Sequence, residues 1–434
     1  MNKNQVKVGL LGFGTVGTGV VRIIEGHQED LFKQTNVEIK VGKILVNDIN
    51  KERSIPVDPE VLTTSPEDIL RNPDIDIVIE VMGGINQAKD YILEALEHGK
   101  HVVTANKDLM AIHGAQIIAK AAEKGCDVFY EASVAGGIPI IRSLVEGLSS
   151  DRIHKIIGIV NGTTNYILTK MSQEGAQYDE VLKEAQALGY AESDPTSDVE
   201  GLDAARKMAI LGTLGFKVDC SLDDVDVRGM SKVTAEDIAY GKKLGYEIKL
   251  LGIAKRDQES IEVSVQPTMI HQSHPLASVN GVFNAVYVYG EAVGETMFYG
   301  PGAGELPTAT AVTSDLVTVV KNMTLGVSGR GMFAPYREKF LKTPEQIESK
   351  FFLRLLVSDQ PGVLAQITSM LANHEISIEQ ISQQLDHERR EAEIVLISHM
   401  ATKKAMDQIL EELLTVDSVK EIKSYYRVEG REEN

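Results

Sequence analysis

Val6-Lys7-Val8-Gly9-Leu10-Leu11-Gly12-Phe13-Gly14-Thr15-Val16-Gly17 decides the fold. A short run dominated by Val and Leu reads as a strand, three glycines at G-x-G-x-x-G spacing follow at once, and a helix opens behind them. Gly12 permits the tight turn, Gly14 lets backbone approach a ligand's phosphates, and Gly17 lets helix and strand pack closely. The helix N-terminus adds free amide donors and a partial positive charge, which a pyrophosphate needs. Gly12, Phe13, Gly14, Thr15, Val16 and Gly17 are therefore expected to cradle a dinucleotide. Glycines interrupt the apolar run and no small-residue cleavage pattern follows, so it is a strand and not a secretion signal.

Outward from this loop, β-branched runs alternate with helical periodicity, as in a parallel sheet of βαβ units. Ile39 to Val46, Ile75 to Val81, His101 to Thr104 and Cys126 to Tyr130 read as further strands. Ala88 to Glu97 and Ala115 to Lys124 read as helices, the second stopped by Gly125. The fold class expected is α/β, with a Rossmann-type doubly wound sheet over residues 1–150. Residues 151–329 read as an open α+β domain for catalysis and dimerisation. Its expected strands are Ile153 to Val160, Lys249 to Ala254, Ile261 to Gln266 and Ala285 to Tyr289. Helices are expected at Ile167 to Ser172, Tyr178 to Leu188, Leu202 to Leu214 and Thr308 to Met323, with a glycine-rich turn from Tyr299 to Gly304. Residues 330–350, polar and carrying Pro335 and Pro344, read as a linker. From 351 to 434 the order is βαββαβ: strands Phe351 to Val357, Ile376 to Gln383, Ala392 to Ser398 and Val419 to Tyr426, a helix entered through Asp359 to Leu364, and a helix from Ala405 to Leu414.

Length and composition agree with several domains. At 434 residues the chain exceeds one compact core, and roughly 150 residues per domain suggests about three. A net charge of −19 argues against nucleic-acid or anionic-membrane surfaces, which need clustered Lys and Arg. Two cysteines are too few for a disulfide framework and fit a reducing compartment, with the cytoplasm as the expected location. No apolar run reaches the length of about 20 residues that a membrane-spanning helix requires.

A carboxylate ending the second strand would favour the ribose hydroxyls of NAD, and basic groups there would favour the phosphate of NADP. Asp48 is available for the first role, and Lys43, Lys51 and Arg53 for the second. NADP is preferred and NAD stays open. Further along, Lys107 follows the C-terminal end of a parallel strand, where open α/β sheets place ligands. Lys207 lies four residues after Asp203 on an expected helix, so ammonium and carboxylate share a face. Such a pair is more often a surface ion pair, but Ala204, Ala205, Met208 and Ala209 imply a helix partly sunk in its domain.

Several segments together resemble the homoserine dehydrogenases: GLLGFGTVG from Gly9, TANK from Thr104 to Lys107, EASVAGGIP from Glu131, NGTTNYI from Asn161, and GYAESDPTSDVEGLDAARK from Gly189 to Lys207. They occur in that family's order, as far as PGAG at Pro301 to Gly304. The resemblance implies reversible reduction of L-aspartate 4-semialdehyde to L-homoserine with NADPH or NADH, on the path to threonine and methionine. Aldehyde reduction needs a proton donor at the carbonyl oxygen and a positive charge for the developing alkoxide. The resemblance gives Lys207 the proton and places Lys107 beside substrate and nicotinamide; which of them transfers the proton is open, with Lys207 favoured.

It also makes Glu192 and Asp203 substrate ligands supported by Asp198, with Gly162, Thr163 and Gly189 lining the cleft. Thr104, Asn106, Lys107, Ser133 and Gly189 would face the cofactor, and Gly302 and Gly304 would close over it. Glu131, Val134, Gly136 and Ile138 resemble that family's monovalent cation site, sodium being expected, built mostly from backbone carbonyls. Residues 351–426 resemble an ACT domain, a ferredoxin-like module that binds amino acids, commonly between copies. Asp359, Pro361 and Gly362 occupy its ligand turn, and threonine is the expected effector. A homodimer or homotetramer is expected.

Two rival readings are a dehydrogenase that oxidises aldehydes through a thiolate and a non-catalytic sensor of dinucleotide and amino acid. The first is disfavoured because Cys126 begins a strand and Cys220 sits beside Asp219. Loss of turnover on Lys207→Ala would exclude the second.

Overall fold

The computed structural model describes residues 4–329, 335–386 and 388–430, so the start of the expected linker, 330–334, and the last four residues lie outside it. The chain divides into two compact units, one of residues 1–161, 204–225 and 283–339, the other of 162–203, 226–282 and 340–434.

The first unit is built on six parallel strands: β1 (Gln5–Leu11), β2 (Glu38–Leu45), β3 (Leu62–Thr63), β4 (Ile77–Glu80), β5 (His101–Thr104) and β6 (Val128–Phe129). Their spatial order is β3-β2-β1-β4-β5-β6, which puts the switch in winding direction between β1 and β4. Helix α1 (Thr15–Gly26) leaves the glycine turn, α2 (Asn86–Glu97) joins β4 to β5, and α3 (Lys107–Lys124) follows β5 and stops at left-handed Gly125. β4 and β5 are buried throughout, as strands covered on both faces must be.

A helix far away in sequence, Glu305–Leu325, packs on α1 and joins the same core through Ala309, Val312, Leu316 and Val320. Gly19 makes the approach possible: a Cβ there would lie 2.7 Å from the Glu305 carbonyl oxygen and 2.8 Å from Ala309 Cβ. Strands Ile153–Ile159, Phe283–Gly290 and Gly294–Pro301 complete this unit as antiparallel neighbours. The last of them corrects the reading of Tyr299 to Gly304 as turn alone, since its first three residues are paired strand.

In the second unit, Tyr246–Asp257 and Ser260–His271 form a long hairpin, each strand twelve residues long. The carboxy-terminal module has the expected βαββαβ order: Glu348–Ser358, helix Val363–Asn373, Ile378–Asp386, Glu391–Ser398, helix Lys403–Leu413 and Val419–Glu429. Its last strand pairs in parallel with the hairpin, Thr268 opposite Arg427 and Ile270 opposite Glu429, so hairpin and module share one sheet. The described part of the linker stretch adds to the sheet as well. Phe340–Leu341 pairs with Ser260–Ile261, and Lys342 forms an ion pair with Asp257.

One buried carboxylate fastens the module's sheet to the helix Ala235–Lys243. Asp237 accepts hydrogen bonds from Arg354 Nη1 at 2.9 Å, Ser424 Oγ at 2.6 Å and Tyr426 Oη at 2.8 Å while capping its own helix with Thr234. The cost of burying the acid is offset by these three donors, each paired with it, although Arg354 Nε beside them is buried without a partner.

Candidate active site

The three glycines of the first turn have separate jobs. Gly12 has φ +102°, and a Cβ on it would lie 2.8 Å from Met82 Cα. At Gly17 a Cβ would come within 2.4 Å of the Gly12 carbonyl oxygen. Gly14, by contrast, has no atom within 4 Å of where a Cβ would stand. The protein's own packing therefore does not require glycine at 14. Beside the turn, the Arg53 guanidinium lies over the Phe13 ring, 5.5 Å from its centroid, and donates to the Asp48 carbonyl. Arg53 Nε is buried without a hydrogen-bond partner. Lys43 Nζ donates to Glu60 O at 2.7 Å, the Asp48 carboxylate accepts from Asn50 N at 2.8 Å, and Lys51 is exposed.

At the C-terminal ends of β4 and β5 a second polar cluster forms around Glu80, a fully buried acid absent from the sequence reading. Its carboxylate accepts from Thr104 Oγ1 at 2.6 Å, Met82 N at 3.0 Å and Gly83 N at 3.2 Å. Burial pushes this acid upward, and those donors oppose the shift. Thr104 Oγ1 accepts from Asn106 N, and Asn106 donates to Gly84 O and caps α3 by accepting from Leu109 N. Lys107 is the next residue, so the network fixes the turn that presents it. The sequence did carry a signal, an acid within the apolar IVIE of a buried strand.

The EASVAGGIP segment forms a tight loop. Ala135 and Gly136 are both left-handed, with φ 55° and 51°, and a Cβ on Gly136 would lie 2.3 Å from Gly302 O. Gly302 in turn faces Asn284, and Gly304, at φ 128°, precedes the helix Glu305–Leu325. Ser133 Oγ donates to Tyr130 O at 2.6 Å. Both Glu131 carboxylate oxygens accept backbone amides, Ile141 N and Arg142 N at 2.7 Å each. Its backbone N donates to Asp315, whose other oxygen meets Arg142 at 3.0 Å. Among the described residues no three His, Cys, Asp or Glu side chains are grouped to hold a metal.

Lys207 lies on the helix Leu202–Phe216, where Ala204, Ala205, Met208 and Ala209 are buried as their apolar pattern requires. Its Nζ donates to the Val160 carbonyl at 2.7 Å. Asp203, one turn earlier, is only 5% exposed, which argues against a plain surface ion pair.

In the second unit, Thr163 Oγ1 donates to Tyr190 O at 2.6 Å, tying the helix Gly162–Glu174 to the residue after left-handed Gly189. Glu192 is exposed, its carbonyl accepting from Gln186 Nε2 at 3.0 Å, and Asp198 is half-buried on the short helix Thr196–Val199.

Against the helix Gly162–Glu174 the buried Lys249 donates to Val279 O at 2.6 Å, Asn280 Oδ1 at 3.2 Å and Asn165 Oδ1 at 3.3 Å. Burial pushes its ammonium down to about 8, against the pull of Glu247. An unfolded lysine titrates near about 10.4. Between these values the unfolded chain binds the proton more tightly, so the penalty is full below the folded value and fades as pH rises. Lys249→Met should abolish that slope. Going from about pH 7.5 to about pH 10, denaturant unfolding should shift in the parent's favour by about 2 to 3 kcal/mol relative to the variant. A constant difference would refute it.

Both cysteines are buried, and burial pushes Cys126 up to about 11 and Cys220 up to about 12. For Cys220, burial outweighs the carboxylates, and Asp224 contributes more than Asp219. Neither thiol is poised as a nucleophile. Asp359, Pro361 and Gly362 form an exposed turn ahead of the helix Val363–Asn373, with Gly362 left-handed at φ 95°. No described helix is long and apolar enough to cross a membrane.

The 3-2-1-4-5-6 sheet, the glycine turn at its switch point and a lysine just past β5 define a dinucleotide-dependent dehydrogenase with an appended βαββαβ module. Residues 12–131 match the homoserine dehydrogenase NAD-binding domain, 139–317 match homoserine dehydrogenase, and 351–417 match the ACT domain. The chain is 56% identical to the homoserine dehydrogenase of Bacillus subtilis over 98% of both chains. Its structure superposes on that of a homoserine dehydrogenase from Thiobacillus denitrificans with a TM-score of 0.92, at 41% identity and 98% coverage of both chains. A hyperthermophilic archaeal homoserine dehydrogenase in complex with NADPH matches with a TM-score of 0.61 at 28% identity, covering 74% of this chain and 98% of that one. The chain belongs to the homoserine dehydrogenase family.

Proposed function

We propose that this protein interconverts L-aspartate 4-semialdehyde and L-homoserine with NADP(H), and that threonine acts on it through the ACT module. The observation that carries the reaction is Lys207: an amine tethered to Val160 O on a largely buried helix, one turn beyond the buried acid Asp203. Room at Gly14 for phosphates and the Arg53 guanidinium beside the turn fit a dinucleotide whose ribose carries a phosphate. Asp48, occupied in its own turn, supports NAD less well, and NAD is the alternative.

When bound, the reduced nicotinamide supplies the hydride to the aldehyde carbon. Lys207 gives a proton to the carbonyl oxygen and recovers it in the oxidative direction. Lys107 supplies fixed positive charge to the developing alkoxide. Glu192 and Asp203 receive the substrate ammonium with Asp198 behind them, and Gly162, Thr163 and Gly189 line the cleft. Thr104, Asn106, Ser133, Gly302 and Gly304 border the cofactor. A monovalent cation, sodium by preference, would take carbonyl oxygens from Glu131, Val134, Gly136 and Ile138. Glu131 would offer its carbonyl alone, since its carboxylate is committed to backbone amides.

The proposed division of labour is cofactor binding by 1–150, substrate binding and dimerisation by 151–329, linkage by 330–350 and regulation by 351–434. A homodimer or homotetramer in the cytoplasm, serving threonine and methionine synthesis, completes the proposal.

Initial rates with L-homoserine and each oxidised cofactor test it. NADP should be preferred by about tenfold or more, the worth of one charge-assisted contact, and Arg53→Ala should erase that preference. Absence of NAD(P)H absorbance with either cofactor refutes the reaction. Saturating threonine that alters neither rate nor melting temperature refutes the regulation.

A further inference from the structure

Lys107 and Lys207 stand on helices far apart in sequence, so something must set the distance between their amines. Lys107 is the first residue of α3, and Lys207 lies in the second turn of the helix Leu202–Phe216. Asp108 follows the first lysine and Arg206 precedes the second. Arg206 Nε lies 2.9 Å from Asp108 Oδ1, a charge contact between the first turn of α3 and the second turn of the other helix. Farther along, the helices do not close on each other. A cavity of about 140 Å³ is lined by Met110, Gly114 and Ile118 from one helix and Ile210, Thr213 and Leu214 from the other. Apolar interlocking along this stretch is therefore incomplete, and spacing falls to the Asp108–Arg206 contact.

We propose that Asp108 and Arg206 are a positioning pair for the reaction, holding the first turn of α3 to the helix Leu202–Phe216 and so fixing the two lysines relative to one another. The proposal rests on the reading of Lys107 and Lys207 as the reacting groups. Neither residue of the pair touches substrate in this role. Their side chains retain 36% and 23% exposure, and ion pairs so placed add little to global stability. Variants are therefore expected to fold. A displacement of about 1 Å between reacting groups can still cost up to about 100-fold in rate. Asp108 also complements the N-terminal charge of α3, so Arg206 is the cleaner probe.

The test uses the full chain as Asp108→Asn, Arg206→Met and the double variant, with Lys107→Ala and Lys207→Ala as references. Each single change in the pair should lower kcat for homoserine oxidation by about five- to tenfold, with the dinucleotide KM and the melting temperature held. The double variant should be no slower than the slower single, because one contact is removed once. Singles whose kcat stays within about twofold of the parent, losses that multiply in the double variant, or slowing matched by a fall in melting temperature would each overturn the proposal. A Lys207→Ala enzyme of normal kcat would mean that the reading of the lysines has failed. A slow Lys207→Ala enzyme beside normal pair variants would mean that the pair alone has failed.

Discussion

Lys207→Ala should lower kcat for homoserine oxidation by about 10²- to 10⁴-fold, the range that a positioned proton-transfer group supplies. The side chain is half-buried, and its amine donates to a backbone carbonyl, Val160 O. Ala at this position keeps the helix propensity of Leu202–Phe216 and leaves the buried Ala204, Ala205, Met208 and Ala209 untouched. The fold and the glycine turn should persist, so the dissociation constant for dinucleotide should move by less than about twofold. Stopped-flow turnover and fluorescence titration of the cofactor separate the two effects. A kcat within about tenfold of the parent would remove Lys207 from the chemistry and shift the proton to Lys107.

Gly14→Val and Gly17→Ala should fail in opposite ways. Gly14 has an extended backbone, φ −87° and ψ −156°, which any residue adopts, and open space where a side chain would go. Gly14→Val should melt at the parent's temperature without cofactor and bind dinucleotide on the order of 100-fold more weakly, its side chain standing where phosphates must meet the backbone. Gly17→Ala drives a methyl to within 2.4 Å of the Gly12 carbonyl oxygen, so the ligand-free protein itself should lose about 1 to 3 kcal/mol. Thermal unfolding with and without NADP reads both. A Gly14→Val protein that is destabilised yet still protected by cofactor would contradict the assignment.

Legibility from sequence followed how local each signal was. β1, its glycine turn and β4 were readable because a buried parallel strand is a continuous apolar run and the cradle is contiguous. The hairpin strands were anticipated but shorter, because Tyr246 to Ile248 and Pro267 to His271 are bounded by polar and proline residues that mask their burial. The strand Gly294–Pro301 was not read, and its end from Tyr299 was taken as part of a turn, because it is mostly exposed and leaves no apolar alternation to detect. The packing of Glu305–Leu325 on α1 had no trace in that helix itself, and Gly19 is its one visible mark. The substrate residues came from resemblance, and Glu80, Asp108, Arg206 and Asp237 were missed. Asp108, Arg206 and Asp237 are ordinary acids or bases within their own segments and acquire meaning only from partners distant in sequence, whereas Glu80 was marked by the apolar strand around it.

The strand Val419–Glu429 gives the ACT module a particular mode of attachment. Stopping the chain before residue 348 would strip the parallel partner from Thr268 to Ile270 and leave the Asp237 carboxylate without Arg354, Ser424 and Tyr426. A bare sheet edge invites intermolecular strand addition, and a buried acid deprived of its donors is costly. The shortened chain would therefore be an aggregation hazard before it was an unregulated enzyme. Swapping this module for another, by chance recombination or at the bench, would have to carry the helix Ala235–Lys243 along with it.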